Sequence, residues 1–157
     1  MARYETKIKA GAAPFLEPGE EVLAAVVARP RGWTQANASR GAPGTIASGL
    51  GRTKQLDNID AAKQSGFEIA SPMALAVTDR RLLCFKISSP VGVGIGGNVK
   101  ELVSEAKLSE VDAIETKRLA AGHTMTVTVR GVPFVLEIGA GANAKGLAET
   151  FVQVKRS

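Results

Sequence analysis

The sequence predicts a mainly β domain closed by one C-terminal helix and interrupted by a long, irregular or partly helical insertion. Three observations carry this. In TMTVTVRGVPFVLEI, residues 124–138, Met125, Val127 and Val129 alternate with Thr124, Thr126 and Thr128, and Phe134, Leu136 and Ile138 supply the return strand. Period-two alternation of this kind gives one buried and one wet face. In ALAVTDRRLLCFKI, residues 74–87, two short apolar runs flank a charged turn. Finally, Ala144, Leu147, Ala148, Phe151 and Val154 recur at helical spacing, the stripe of an amphipathic helix.

The elements follow in chain order. Residues 1–15 carry mixed charge and read as a loose N-terminal arm. Pro18-Gly19 marks a turn, after which EEVLAAVVARP reads as a strand stopped by Pro30 and Gly32. Residues 34–66 are rich in Gly, Ala, Ser and Asn, and the segment is far longer than a routine connection. Within it, Leu56 to Lys63 contains helix formers, and Gly66 is placed for a C-terminal stop. MALAVT and RLLCFKI form a hairpin, and VGVGIGGN follows as a Gly-rich loop at 90–98. VKELVSEAKL fits a helix nearly as well as a strand, and VDAIETKRL reads as a strand. Gly131-Val132 suits a tight turn with Gly at its first central position. Asn143 is placed to cap the last helix, and Lys155 and Arg156 lie where its dipole favours cations. About seven strands and one helix result, too many strands for a flat sheet, so a curled barrel or two packed layers is expected.

Bulk properties narrow the function. With 157 residues the chain is read as one domain able to bury a core. Hydrophobic residues at 45% and charged residues at 22% argue against disorder, and aromatics at 4% are too few for a base-stacking surface. A net charge of +5 favours anionic partners, although the bases are scattered. Cys84 is the one cysteine, set in an apolar strand, and reads as a buried inert thiol. It excludes an internal disulfide and a cysteine zinc cluster. No secretory leader or membrane-spanning run is visible, so a reduced, cytoplasmic protein is expected, with peripheral membrane contact as an alternative.

A family resemblance rests on particular residues. PGEEVLAAV opens with a Gly-Glu pair at the first strand, the hairpin carries Thr78, Asp79, Arg80, Arg81 and Leu82 in order, and KLSEVDAIE supplies Leu108 and Val111 before Ile114. A hairpin and a terminal amphipathic helix follow. This order resembles the bacterial pleckstrin-homology-like domains, which are also similar to GRAM domains, over 18–30 and 72–155. The resemblance implies a bent seven-stranded sandwich or barrel capped by one helix, without catalysis or cofactor. It leaves unexplained the insertion at 34–66 and the loop at 90–98, so either is a place to look for specific function.

Several motifs invite chemistry. Gly92, Gly94 and Gly97 match a dinucleotide-binding G-x-G-x-x-G, and Glu115 lies near the distance of a ribose-binding acid. The preceding strand is already one arm of an antiparallel hairpin, however, which leaves little chain for a parallel doubly wound sheet. A loop between strands, or backbone N–H groups that bind an anion without that fold, is the reading instead. His123 is the single histidine and reads as a surface turn residue, with no second ligand beside it for zinc.

The bases Arg80, Arg81, Lys86, Arg52, Lys54, Lys117 and Arg118 are candidate contacts to an anionic partner. Ile46, Leu50, Val91, Val93 and Ile95 are candidate assembly contacts, because apolar residues in loops need cover. The expected function is therefore a non-enzymatic binding or assembly module for a protein partner or for further copies of itself. Binding of anionic phospholipid headgroups on a membrane surface is the alternative. Nucleic acid is disfavoured as a partner by the absence of a recognised motif.

Overall fold

A computed structural model describes residues 3–31, 46–70, 72–88, 98–119, 122–139 and 142–156. Helix α1 spans Arg3–Ala12 and continues into a short 3₁₀ turn at Ala13–Phe15. Strand β1 (Val22–Pro30) precedes helix α2 (Ile46–Ser65). The hairpin strands are β2 (Met73–Thr78) and β3 (Arg81–Ile87), and β4 (Val99–Lys107) turns through a 3₁₀ segment at Leu108–Glu110 into β5 (Val111–Leu119). Strands β6 (Gly122–Val129) and β7 (Val132–Ile138) lead to the closing helix α3 (Ala144–Arg156).

All seven strands join one antiparallel sheet in the order β4-β3-β2-β1-β7-β6-β5. The sheet does not close, and β4 and β5 are its edges. A single apolar cluster nevertheless takes residues from every strand, from Val26, Leu75 and Cys84 to Val111, Val127 and Leu136. Seven strands at about 4.8 Å spacing make a layer too wide for that unless it bends over itself. Helix α3 fills the bend with Ala144, Leu147 and Phe151, capped as expected by Asn143 Oδ1, which accepts the Gly146 N–H at 2.9 Å. Mainly β with a terminal helix is thus the observed class, in the open form rather than the closed barrel.

The expected loose arm is instead helix α1, and the reason is the sheet's outer face. Ala25, Ala74 and Ala76 present small side chains there, beside Leu83 and Phe85, and Ile8 and Ala12 pack onto them. Gly11 permits the close approach, since a Cβ at that position would stand 2.9 Å from Val99 Cβ. β2 and β3 are consequently covered on both sides, which is why ALAV and LLCF are apolar at successive positions. Too short to be stable in isolation, α1 owes its helicity to this packing.

The insertion also enters the core. Helix α2 ends as the sequence predicts: Gly66 has φ 81°, its N–H bonds Lys63 O at 3.0 Å, and Phe67 N–H bonds Ala62 O at 3.1 Å, a Schellman stop. The helix is longer than the Leu56–Lys63 segment expected, beginning at Ile46. Phe67 is fully buried and stacks on Phe134 at 6.0 Å. Strand β1 pairs with β7 only over Ala28–Pro30, and beyond it Asn58 Oδ1 accepts the Val135 N–H at 2.7 Å. The helix thereby satisfies a strand edge that β1 leaves uncovered.

Two further expectations change. The stretch 99–107 is strand, because β3 offers it a ladder along its whole length. The β6–β7 turn is centred on Arg130-Gly131, with φ 49° and 81°, rather than on Gly131-Val132. Two successive positive φ values make a type I′ turn. Arg130 is held there by Glu110 Oε2, which accepts from Nε at 2.9 Å, and by Ser65 O, which accepts from Nη1 at 2.7 Å.

Candidate functional site

The charged knot between β2 and β3 is architecture. Arg81 is 7% exposed and Glu20 8%, although 61 residues separate them. Glu20 accepts from Arg81 Nη2 at 2.6 Å and Nε at 2.8 Å, a two-pronged pair, and also from Thr78 Oγ1 at 2.7 Å and the Glu17 N–H at 2.9 Å. Arg81 Nη1 pairs with Glu105, and Nη2 also donates to Phe15 O at 3.0 Å. The Arg81 guanidinium beside it pulls the Glu20 carboxyl from an ordinary 4.5 to about 2, and the same pair raises Arg81. Thr78 Oγ1 accepts the N–H groups of Arg80 and Arg81 at 3.0 Å each, and Asp79 Oδ1 accepts the Glu21 N–H at 3.2 Å. The Gly-Glu and Thr-Asp-Arg-Arg pieces of the resemblance therefore form one hydrogen-bonded unit that locks the start of β1 to the hairpin.

The bases singled out from sequence do not converge. Arg80 is exposed and pairs with Glu17 at 3.1 Å and Asp79 at 3.6 Å. Lys86, also exposed, lies five positions along β3 from Arg81, about 17 Å away at the rise of a strand. Lys117 and Arg118 are exposed on β5, at one edge of the sheet. Arg52 and Lys54 lie in α2 with their side chains outside the described residues, as do those of Ile46 and Leu50. Val91, Val93 and Ile95, and the glycines at 92, 94 and 97, fall outside the described residues altogether. Their flanks are fastened, since Ser88 Oγ accepts the Asn98 N–H at 2.8 Å and Asn98 O accepts the Ser88 N–H at 3.0 Å.

A surface the sequence reading missed lies between β5 and α3. Ile114, Glu115 and Thr116 form one wall of a groove of about 730 Å³. Lys145, Ala148, Glu149, Val152, Gln153 and Arg156, at helical spacing, form the other. Val152 is 41% exposed, one of two large hydrophobics that stand out from the described surface. Lys155 Nζ donates to the Val111 carbonyl and, at 3.5 Å, to that of Asp112, so the end of α3 is tied to the start of β5. The available signal was the second helical stripe in 145–156, which an inward-facing reading of the helix passes over.

Chemistry elsewhere is sparse. Cys84 is buried, its Sγ 3.6 Å from Met73 Sδ, and burial pushes its thiol up to about 12. His123 lies inside β6, opposite Arg118 and Ile138, rather than in a surface turn, and its Nδ1 is buried with no hydrogen-bond partner among the described residues. Among the described residues no cluster of three His, Cys, Asp or Glu side chains could hold a metal, and no helix is long and apolar enough to cross a membrane.

The topology, seven antiparallel strands capped by a C-terminal helix, is the one the pleckstrin-homology resemblance implies. Two solved structures are similar to this chain. One is a DUF1696 family protein with a pleckstrin-homology domain from Shewanella loihica, 11% identical, with a TM-score of 0.48 over 94% of this chain and 89% of that one. The other is a pleckstrin homology domain from Shewanella amazonensis, 14% identical, with a TM-score of 0.45 over 94% of this chain and 95% of that one. No family model matches the sequence, and no curated protein matches it.

Proposed function

We propose that this chain is a non-enzymatic binding module for protein partners, further copies of itself included. One observation carries the reading: β5 is an open sheet edge beside a groove lined in part by Ile114, Ala148 and exposed Val152. Unpaired strand edges are templates for another chain, and natural proteins cover them or use them. The charged groups that would suggest chemistry at the hairpin are spent on holding the fold together. Light scattering over a concentration series tests self-assembly, and panning of random peptides tests binding to others. A chain that stays monomeric and enriches no peptide removes the reading.

The second reading is binding to anionic phospholipid headgroups. What favours it is the exposure of Lys117, Arg118, Lys145 and Arg156 around the same groove. Each base near an anionic bilayer contributes about 1 kcal/mol. Flotation with acidic vesicles at low salt tests it, and an absence of binding there removes it.

A further inference from the structure

We propose that this chain forms a two-fold dimer in which β5 pairs, antiparallel and centred on Thr116, with β5 of a second copy. The inference rests on the protein-binding reading and names the partner as the chain itself. Its source is the strand's own sequence, AIETKRL at 113–119. Turned about Thr116, this stretch sets Glu115 opposite Lys117 of the second copy and Lys117 opposite its Glu115. Thr116 then meets Thr116, and Ala113 meets Leu119. Directly opposed unlike charges stabilise a strand pair, and like charges destabilise it. Sliding the copy by two residues, one way or the other, opposes Glu115 to itself or Lys117 to itself. Sliding it by one residue opposes side chains on different faces, and a parallel, in-register pairing opposes like to like throughout. The charges thus select one direction and one register.

The structure leaves the strand open to this pairing. Glu115 and Lys117 are exposed, share one face of β5, and are in no ion pair among the described residues. From 113 to 119, β5 follows β6 residue for residue, so its outer edge is regular. The other edge, β4, is blunted. Its ladder to β3 is broken by two irregularities, Gly11 of α1 lies against Val99, and Glu105 is spent on Arg81. Bulges and covers of this kind guard an edge against pairing, as does a lysine standing by itself. Lys117 differs because Glu115 lies two residues away on its own face. The two-fold keeps the faces in common, so both α3 helices lie on one side of the joined sheet. On that side Arg118, in line with Ile114 and Thr116, stands opposite Ile114 of the second copy. It thereby reaches the groove that holds Glu149, which is in no ion pair among the described residues. The contact is one strand wide, so the dimer is weak and concentration-dependent.

Sedimentation of the full chain over a concentration series, with Glu115→Lys and Lys117→Glu variants, tests the pairing. The wild-type chain is expected to pass from monomer to dimer and to dissociate with added salt. Each variant by itself opposes like charges at both ends of the contact. Its dissociation constant should rise about tenfold, the scale of two cross-strand charge pairs lost. Mixed in equal amounts, the two variants should associate again, because each supplies the charge that the other lacks. A fluorescent label on one variant reads the mixed dimer directly. Both positions are exposed, and unchanged thermal melts of the variants confirm that the fold is kept. Amide hydrogen exchange should slow over 113–119 as the wild-type concentration rises.

A mixture that associates no better than either variant alone overturns the inference, and so does a dimer that both variants leave intact. Concentration-dependent protection of β4 in place of β5 overturns it too, but leaves the protein-binding reading standing. A chain that stays monomeric at every concentration overturns the pairing, and the wider reading then falls only if panning also enriches no peptide.

Discussion

Replacing Glu20 with Gln tests whether the buried ion pair holds β1 to the hairpin. The carboxyl lies at about 2 in the fold against an ordinary 4.5. At about 1.4 kcal/mol per pKa unit, ionised Glu20 contributes about 3 kcal/mol to stability at neutral pH. Because the folded value is depressed, that contribution is complete above about pH 4.5 and is lost as pH falls toward about 2. The Gln variant keeps the shape and removes the charge, leaving Arg81 with Glu105 and the Phe15 carbonyl. Breaking a buried pair from one side costs about 3–5 kcal/mol, and these remaining partners place the loss near the lower end. Urea unfolding at neutral pH and at about pH 3 measures both quantities. The variant should lose about 3 kcal/mol at neutral pH and show a correspondingly flatter acid limb. A loss under about 1 kcal/mol with an unchanged acid limb would refute the reasoning, because an ordinary exposed pair behaves that way.

Other expectations follow from single contacts. Gly66→Ala should destabilise by about 1–2 kcal/mol, because a left-handed φ is disfavoured with a Cβ and that Cβ would stand 2.7 Å from Arg130 Nη1. A thermal melt at or above the wild-type midpoint contradicts this. Phe67→Ala should cost about 3–5 kcal/mol if the end of the insertion is part of the core, and denaturant titration that finds under about 1 kcal/mol shows that it is not. Asn143→Ala should cost about 1 kcal/mol through loss of the α3 cap, read by the same titration. Cys84, with its thiol pushed up to about 12, should resist a thiol reagent at neutral pH in the folded chain and react fully in denaturant. Rapid labelling of the native protein would show that β3 opens.

The sequence alone determined what local periodicity records. The β6–β7 alternation, the α3 stripe with its Asn143 cap, the hairpin at Asp79-Arg80 and the stop at Gly66 are each written in neighbouring residues, and all four are present. Both hairpin arginines read from sequence as candidate anion contacts, and only the long-range position of Glu20 decided that Arg81 is structural and leaves Arg80 exposed. Tertiary structure also decided the elements whose local preference is weak. Helix α1 forms because the alanines of β1 and β2 leave it a flat outer face, and 99–107 is strand because β3 has an edge to fill. The candidate groove belongs to this second group. Neither β5 nor the outer stripe of α3 is distinctive alone, and the site exists because the bent sheet leaves an open edge where Lys155 ties the helix beside it.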